Sequence, residues 1–251
     1  MEILSWSVFL IAVPAVIFAG VSKGGFGSGA AFASASILAL VIPPGAALGL
    51  MLPLLMLIDV TSLRAYWRRW EWSAARVLLL GAVPGTLAGA AFYAAASPDA
   101  IRLLIGIVSL SFVAWRLGQA RGIIRAAACK PGPVAGTVAG VVLGFTSFVS
   151  HAGGPAAAVY LLGRGMSKTA FQATTVLVFW AVNLLKSGFY AGMGIFTTET
   201  LLLAAALAPF ALLGTWIGIR AHTLVSEKLF FGVTYTLLAV TGVRLIWIAV
   251  T

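Results

Sequence analysis

Charge is scarce in this chain. Of its 251 residues, 9% are Asp, Glu, Lys or Arg, against 61% hydrophobic. A soluble domain carries about 25% charged residues to keep its surface in water. That shortage, with a mean hydropathy of +1.08, excludes water as the solvent for most of the surface. Acidic residues are scarcer still, six against sixteen basic ones. The resulting net charge of +10 would suggest nucleic acid in a soluble protein. In a hydrophobic chain it reads instead as basic loops on the cytoplasmic side of a bilayer, with no nucleic-acid partner. Cysteine occurs once, as Cys129, so no intramolecular disulfide can form. With only two histidines there is no metal-ligand pattern either, and no metal or other cofactor is expected.

Long apolar runs are what the sequence has in abundance. Between charges and helix breakers they divide into ten helical segments, near 3–21, 27–41, 45–63, 74–96, 100–117, 133–149, 155–163, 169–191, 199–219 and 228–249. The predicted fold class is an all-α integral membrane protein with the lipid bilayer as its partner. The opening Met1-Glu2 has no basic stretch ahead of its apolar run, so that run reads as a first span rather than a cleaved signal. The seventh segment is too short to cross about 30 Å of hydrocarbon at 1.5 Å per residue. It reads as half of a broken-helix hairpin, interrupted at Ser150 to Pro155.

An offset of about 125 residues relates the two ends of the chain. Ser22 to Gly29 falls over Thr146 to Gly154, Asp59 over Asn183, and Pro84 and Gly89 over Pro209 and Gly214. The predicted organisation is a first repeat at 1–117, a cytoplasmic linker at 118–132 and a second repeat at 133–251. Each half has five segments, an odd number, so the second must enter the membrane inverted. Charge bias agrees. Arg64, Arg68, Arg69 and Arg76, then Arg116, Arg121, Arg125 and Lys130, then Arg164 and Lys168, then Arg220 and Lys228 fall in four loops assigned to the cytoplasm. Both termini are then extracytoplasmic.

Four basic residues remain. Arg102 and Arg244 lie near segment ends and are expected to reach an interface. Lys186 lies deep in the eighth segment, on one face with Gln172, Phe179, Asn183 and Tyr190. Lys23 sits at the first break, either at membrane depth or in a surface loop. Asp59, the only carboxylate well inside a span, shares a face with Leu52, Leu55 and Ser62. An ionisable group inside a membrane usually marks a pathway, and the competing reading is a structural Asp59–Lys186 pair joining the halves.

The breaks supply helix N-termini, whose free N–H groups suit an anion. Gly27, Ser28 and Gly29 in one, and Ser150, His151, Gly153 and Gly154 in the other, are the candidate cradle. Lys23, Asn183 and Lys186 complete the expected substrate site for a small anionic substrate. Asp59 and His151 are candidates for proton coupling. Close helix packing is the plainer role for the glycines.

The stretches SKGGFGSGAAF and SHAGGPAAAVYLL, early in each half of a duplicated chain with a basic linker, resemble those of the sulfite exporter TauE/SafE family. The first lacks the proline that follows the glycines in the second. The resemblance implies a bacterial cytoplasmic (inner) membrane anion transporter for sulfite or an organosulfonate, working by alternating access. Two other classes stay open at this point, a structural or assembly subunit and a membrane-embedded enzyme. The second would need a nucleophile–base pair or a metal set, which the sequence does not supply.

Overall fold

A backbone in hydrocarbon must satisfy its own N–H and C=O groups, and a helix does so within one segment. The computed structural model describes residues 3–26, 31–123, 130–221 and 227–251. Among these are ten α-helices: α1 (Trp6–Val21), α2 (Phe32–Leu38), α3 (Pro44–Ala65), α4 (Trp72–Ala95), α5 (Pro98–Ala120), α6 (Pro133–Ser150), α7 (Gly154–Gly163), α8 (Lys168–Gly192), α9 (Thr198–Ala221) and α10 (Glu227–Val250). A π-helical stretch, Ser22–Phe26, continues α1. No strand occurs among the described residues. Local chemistry sets many of the ends. Proline occupies the first turn of α3, α5, α6 and α7, where its missing N–H costs nothing. The hydroxyls of Ser5, Ser97 and Ser167 cap α1, α5 and α8.

Among the described residues, six helices are long and apolar enough to cross a membrane: α1 with its π-helical continuation, α3, α4, α5, α6 and α9. With 25 residues, α8 has the length, but Gln172, Asn183 and Lys186 lower its hydropathy. All three are buried inside the protein. The short helix α7 has 10 residues, as the hairpin reading requires. The second segment corrects its expected range. Predicted over 27–41, it is α-helical only over Phe32–Leu38 among the described residues. Tight turns follow, with Leu40 and Val41 N–H donating to Ile37 and Leu38 carbonyls, because Pro43 and Pro44 end the run.

The centre of the molecule is the antiparallel pair α3 and α8. Gly49 backs onto Ile195, Asp59 meets Asn183, and Leu63 and Tyr66 cluster with Ala173 and Val176. Around it, α1 packs on α9 and α4 on α6, α3 touches α9 and α4 touches α8, and α5 pairs with α10. Exchanging α1–α5 for α6–α10 in order maps each of these pairings onto another of the set or onto itself. The α4–α6 and α1–α9 contacts are close because both sides are small. A Cβ on Gly81 or Gly85 would overlap the α6 backbone, and one on Gly214 or Gly218 that of α1. Outward faces are apolar, as lipid requires, with Leu80, Val83 and Leu87 exposed on α4 and Leu202, Leu213 and Trp216 on α9.

Three contacts fix which loops share a face. Arg164 bonds Glu71 at 2.7 Å, and the Glu71 N–H donates to Thr174 Oγ1. Gly163 packs on Pro131. The loops after α3 and α7 and the entry to α6 therefore lie together. Gly45 against Tyr93 and Gly49 against Ile195 bring the starts of α3 and α9 and the end of α4 together at the opposite face.

Candidate functional site

Helical spacing puts Asp59, Ser62 and Tyr66 on one face of α3, and Asn183, Lys186 and Tyr190 on the matching face of α8. Because α3 and α8 face each other, these two stripes meet in the interior. All six residues are buried. The π-helical stretch delivers Lys23 to α3, where its Nζ lies 2.6 Å from Asp59 Oδ1. Asn183 Nδ2 donates to Asp59 Oδ2 at 2.7 Å. Gln172 Nε2 donates to the Lys23 carbonyl, and the Phe179 ring lies 5.4 Å from Lys23 Nζ. At 2% exposure Lys23 is not a surface-loop charge.

The Asp59–Lys186 pair weighed from the sequence does not form. Lys186 lies about a turn beyond Asn183 along α8, where the end of α6 takes it. Its Nζ donates to the Ser147 carbonyl at 2.8 Å and contacts Ser147 Oγ at 3.0 Å and His151 Nδ1 at 2.9 Å. An ammonium at a helix C-terminus is favoured by the exposed carbonyls there. His151 ends α6 in the left-handed region, φ 55° and ψ 14°, which is uncommon for a side chain other than Gly. An ammonium has donors only, so Nδ1 must accept. The imidazole proton then sits on Nε2, which faces the Leu48 carbonyl at 3.2 Å. With Lys186 charged, these contacts are satisfied by a neutral His151 protonated at Nε2.

Lys23, Ala31, Leu55, Ser147, His151, Phe179 and Asn183 line a cavity between these groups. Its free space, about 10 Å³, holds roughly one water molecule. A larger solute needs the walls to part.

Of the residues expected at a binding site, Lys23, His151 and Asn183 line the cavity, while Asp59 and Lys186 bond to its walls. Ser150 turns back, donating to the Thr146 carbonyl at 2.8 Å. Gly153 and Gly154 are buried at the start of α7 but do not line the space. At Gly153 a Cβ would press on the Leu143 carbonyl, Phe179 and Ser147, so this glycine serves packing. Gly27, Ser28 and Gly29 lie outside the described residues, as do Arg125, Cys129 and the Lys228 side chain. Arg102 stands at the rim, paired with Asp99 at 2.5 Å, and Arg244 is exposed.

The family described as Sulfite exporter TauE/SafE matches residues 12–245, nearly the whole chain. The chain belongs to the TauE/SafE family. No curated protein and no solved structure matches it. TauE/SafE proteins are membrane transporters of anions, not enzymes, and this member is a multi-pass membrane protein.

Two features of this TauE/SafE chain were missed in the sequence. Ser147 is not among the residues expected at the site, yet it both lines the cavity and binds Lys186. Tyr66 was not singled out at all. Its hydroxyl donates to the Gly24 carbonyl at 2.7 Å, and Tyr190 donates to the Phe148 carbonyl at 2.5 Å. Donor and acceptor in the second bond each lie 124 positions after those in the first. The offset that aligns Asp59 with Asn183 was the available signal.

Proposed function

We propose that this chain carries a small sulfur oxyanion, sulfite or an organosulfonate, across a bacterial cytoplasmic (inner) membrane by alternating access. The observation that carries the reading is the charge around the cavity. Two buried ammonium groups, Lys23 and Lys186, stand against one buried carboxylate, Asp59. Buried like charges are costly, and such an excess is offset when an anion enters. Lys23, Ser147, His151 and Asn183 would contact the anion. Gly27, Ser28 and Gly29 at one break, and Ser150, Gly153 and Gly154 at the other, would shape the cradle. Lys186 would supply charge through the wall. The near-closed cavity suits a carrier, since a sulfonate enters only when the walls move.

The halves 1–117 and 133–251 are read as inverted repeats joined by a cytoplasmic linker at 118–132, with both termini outside. The exchange of helix pairings between halves supports this, as do the matched tyrosine bonds. The many arginines beside the Glu71–Arg164 face support a cytoplasmic position for it. A single cysteine at Thr198, in a Cys129→Ser background, should react with an impermeant thiol reagent in intact cells. Labelling only after permeabilisation overturns this orientation.

Transport is read as proton-linked through Asp59 and His151, because a ligand shifts a conformational equilibrium only by binding its states unequally. The deciding experiment is uptake of labelled sulfite and sulfonates by proteoliposomes, with and without a pH gradient. Saturable uptake supports the carrier reading, and no uptake of any anion defeats it. In Asp59→Asn, exchange should persist while gradient-driven accumulation disappears. Wild-type accumulation in that variant removes Asp59 from coupling.

A further inference from the structure

Among the described residues, three charged side chains are fully withdrawn from the surface: Lys23, Asp59 and Lys186. Every other described charged side chain is at least partly exposed. Residues 27–30, outside the described residues, are Gly, Ser, Gly and Ala and carry no charge. With Lys186 charged, the two bonds of His151 are satisfied by its neutral form. Lys23 and Asp59 cancel as an ion pair 2.6 Å apart. Lys186 hydrogen-bonds a carbonyl, a hydroxyl and an imidazole, and its Nζ lies 5.9 Å from the Tyr190 ring. With Lys23, Asp59 and Lys186 in their ionised forms, the buried cluster holds one more positive than negative charge, directly behind the cavity wall that Ser147 and His151 form.

Resting on the anion-carrier reading above, we propose that the site is charge-matched to a monoanion. Its substrates are then singly charged sulfonates, R–SO3−, and hydrogen sulfite, HSO3−. It discriminates against dianions: SO3(2−), sulfate, thiosulfate and sulfonates that also bear a carboxylate. A monoanion brings the buried count from plus one to zero. A dianion leaves minus one in a low-dielectric interior, where an unpaired charge is poorly tolerated. Asp59 sets this selection without bonding the substrate, by cancelling the second lysine.

Methanesulfonate and sulfate make the test, because a methyl group in one replaces an oxygen in the other and both are tetrahedral. The full chain in lipid nanodiscs is titrated with each sodium salt at equal ionic strength. Wild type should bind methanesulfonate at least about tenfold more tightly than sulfate. Stronger hydration of sulfate would bias any apolar site the same way, so the decisive quantity is the change of this ratio in Asp59→Asn. That substitution raises the count to plus two, and the ratio should fall at least about tenfold, toward sulfate. Asp59→Glu should keep the wild-type ratio. An unchanged ratio in Asp59→Asn overturns the charge match and leaves the carrier reading standing. Failure of wild type to bind any oxyanion or sulfonate defeats the carrier reading itself. Should Asp59→Asn not fold, Lys186→Gln lowers the count to zero. It should weaken methanesulfonate at least about tenfold, and wild-type binding there overturns the proposal equally.

Discussion

The regions around Lys23 and Lys186 share a scaffold and differ in charge. In each, a tyrosine of a central helix or its end donates to a carbonyl near the end of a facing helical stretch, Tyr66 to Gly24 and Tyr190 to Phe148. In each, a lysine is buried beside that bond. Lys23 meets a carboxylate, whereas Lys186 meets only neutral acceptors at the end of α6. The backbone frame is thus alike in the two regions while the electrostatics are divided between them. One region holds a neutralised charge and the other an available one.

The strongest way to break this comparison is to remove the carboxylate. Asp59→Ala leaves the Lys23 ammonium buried without a counter-charge, which should cost about 3–5 kcal/mol of stability. The fall should be visible as a large drop in the thermal unfolding midpoint, and Lys23→Met in the same chain should recover most of it. Lys186→Met removes no ion pair. It leaves the Ser147 carbonyl and His151 Nδ1 short of a donor, at about 1–3 kcal/mol. A larger loss for Lys186→Met than for Asp59→Ala would show that Lys186 is the ion-paired lysine. The same variant should weaken anion binding at least about tenfold, while Arg102→Gln leaves it near wild type because an exposed charge is screened.

Removing the shared element should give smaller and equal effects. Tyr66→Phe and Tyr190→Phe each delete one bond to a buried carbonyl, worth about 1 kcal/mol. A wide disparity in their unfolding midpoints would mean that the two tyrosines are not equivalent.

The smallest effect is expected at the rim. The bond from Arg164 holds the Glu71 carboxyl below the usual carboxylate range. A depressed folded value stabilises the protein above the unfolded value, and the gain is lost as pH falls through the folded one. Glu71 is 37% exposed, so Glu71→Gln should cost below about 1 kcal/mol near neutral pH and nothing in strong acid. A cost that persists in acid would point to the packing of the Glu71 side chain and not to its charge.

The helices were legible in the sequence because lipid demands long apolar runs, and breakers such as Pro133 and Pro155 stand where those runs begin. Asn183 and Lys186 were legible because polar residues in such a run are costly and fall at helical spacing. The partner of Asp59 was not legible. The π-helical stretch at Ser22–Phe26 sets how far Lys23 reaches, and no spacing rule in SKGGF announces that geometry. Nor did Tyr66 stand out, since a tyrosine near a helix end ordinarily belongs to the interfacial aromatic belt. Only contact with Gly24 distinguishes it. The short segment α7 was legible by its length, but the packing of Gly153 on Leu143, Phe179 and Ser147 was not.

Asp59 and Asn183, 124 positions apart, touch each other at the crossing of α3 and α8. In the proposed two-fold arrangement they sit on its axis, the one place where a position meets its own counterpart. An ancestor made of two identical subunits would have held the same residue twice there. Two carboxylates at hydrogen-bond distance cannot both ionise, and two amides would leave Lys23 with no counter-ion. An acid facing an amide is a pairing that a symmetric dimer cannot build. Fusion into a single polypeptide removes that restriction, because the two copies of the position can then mutate independently.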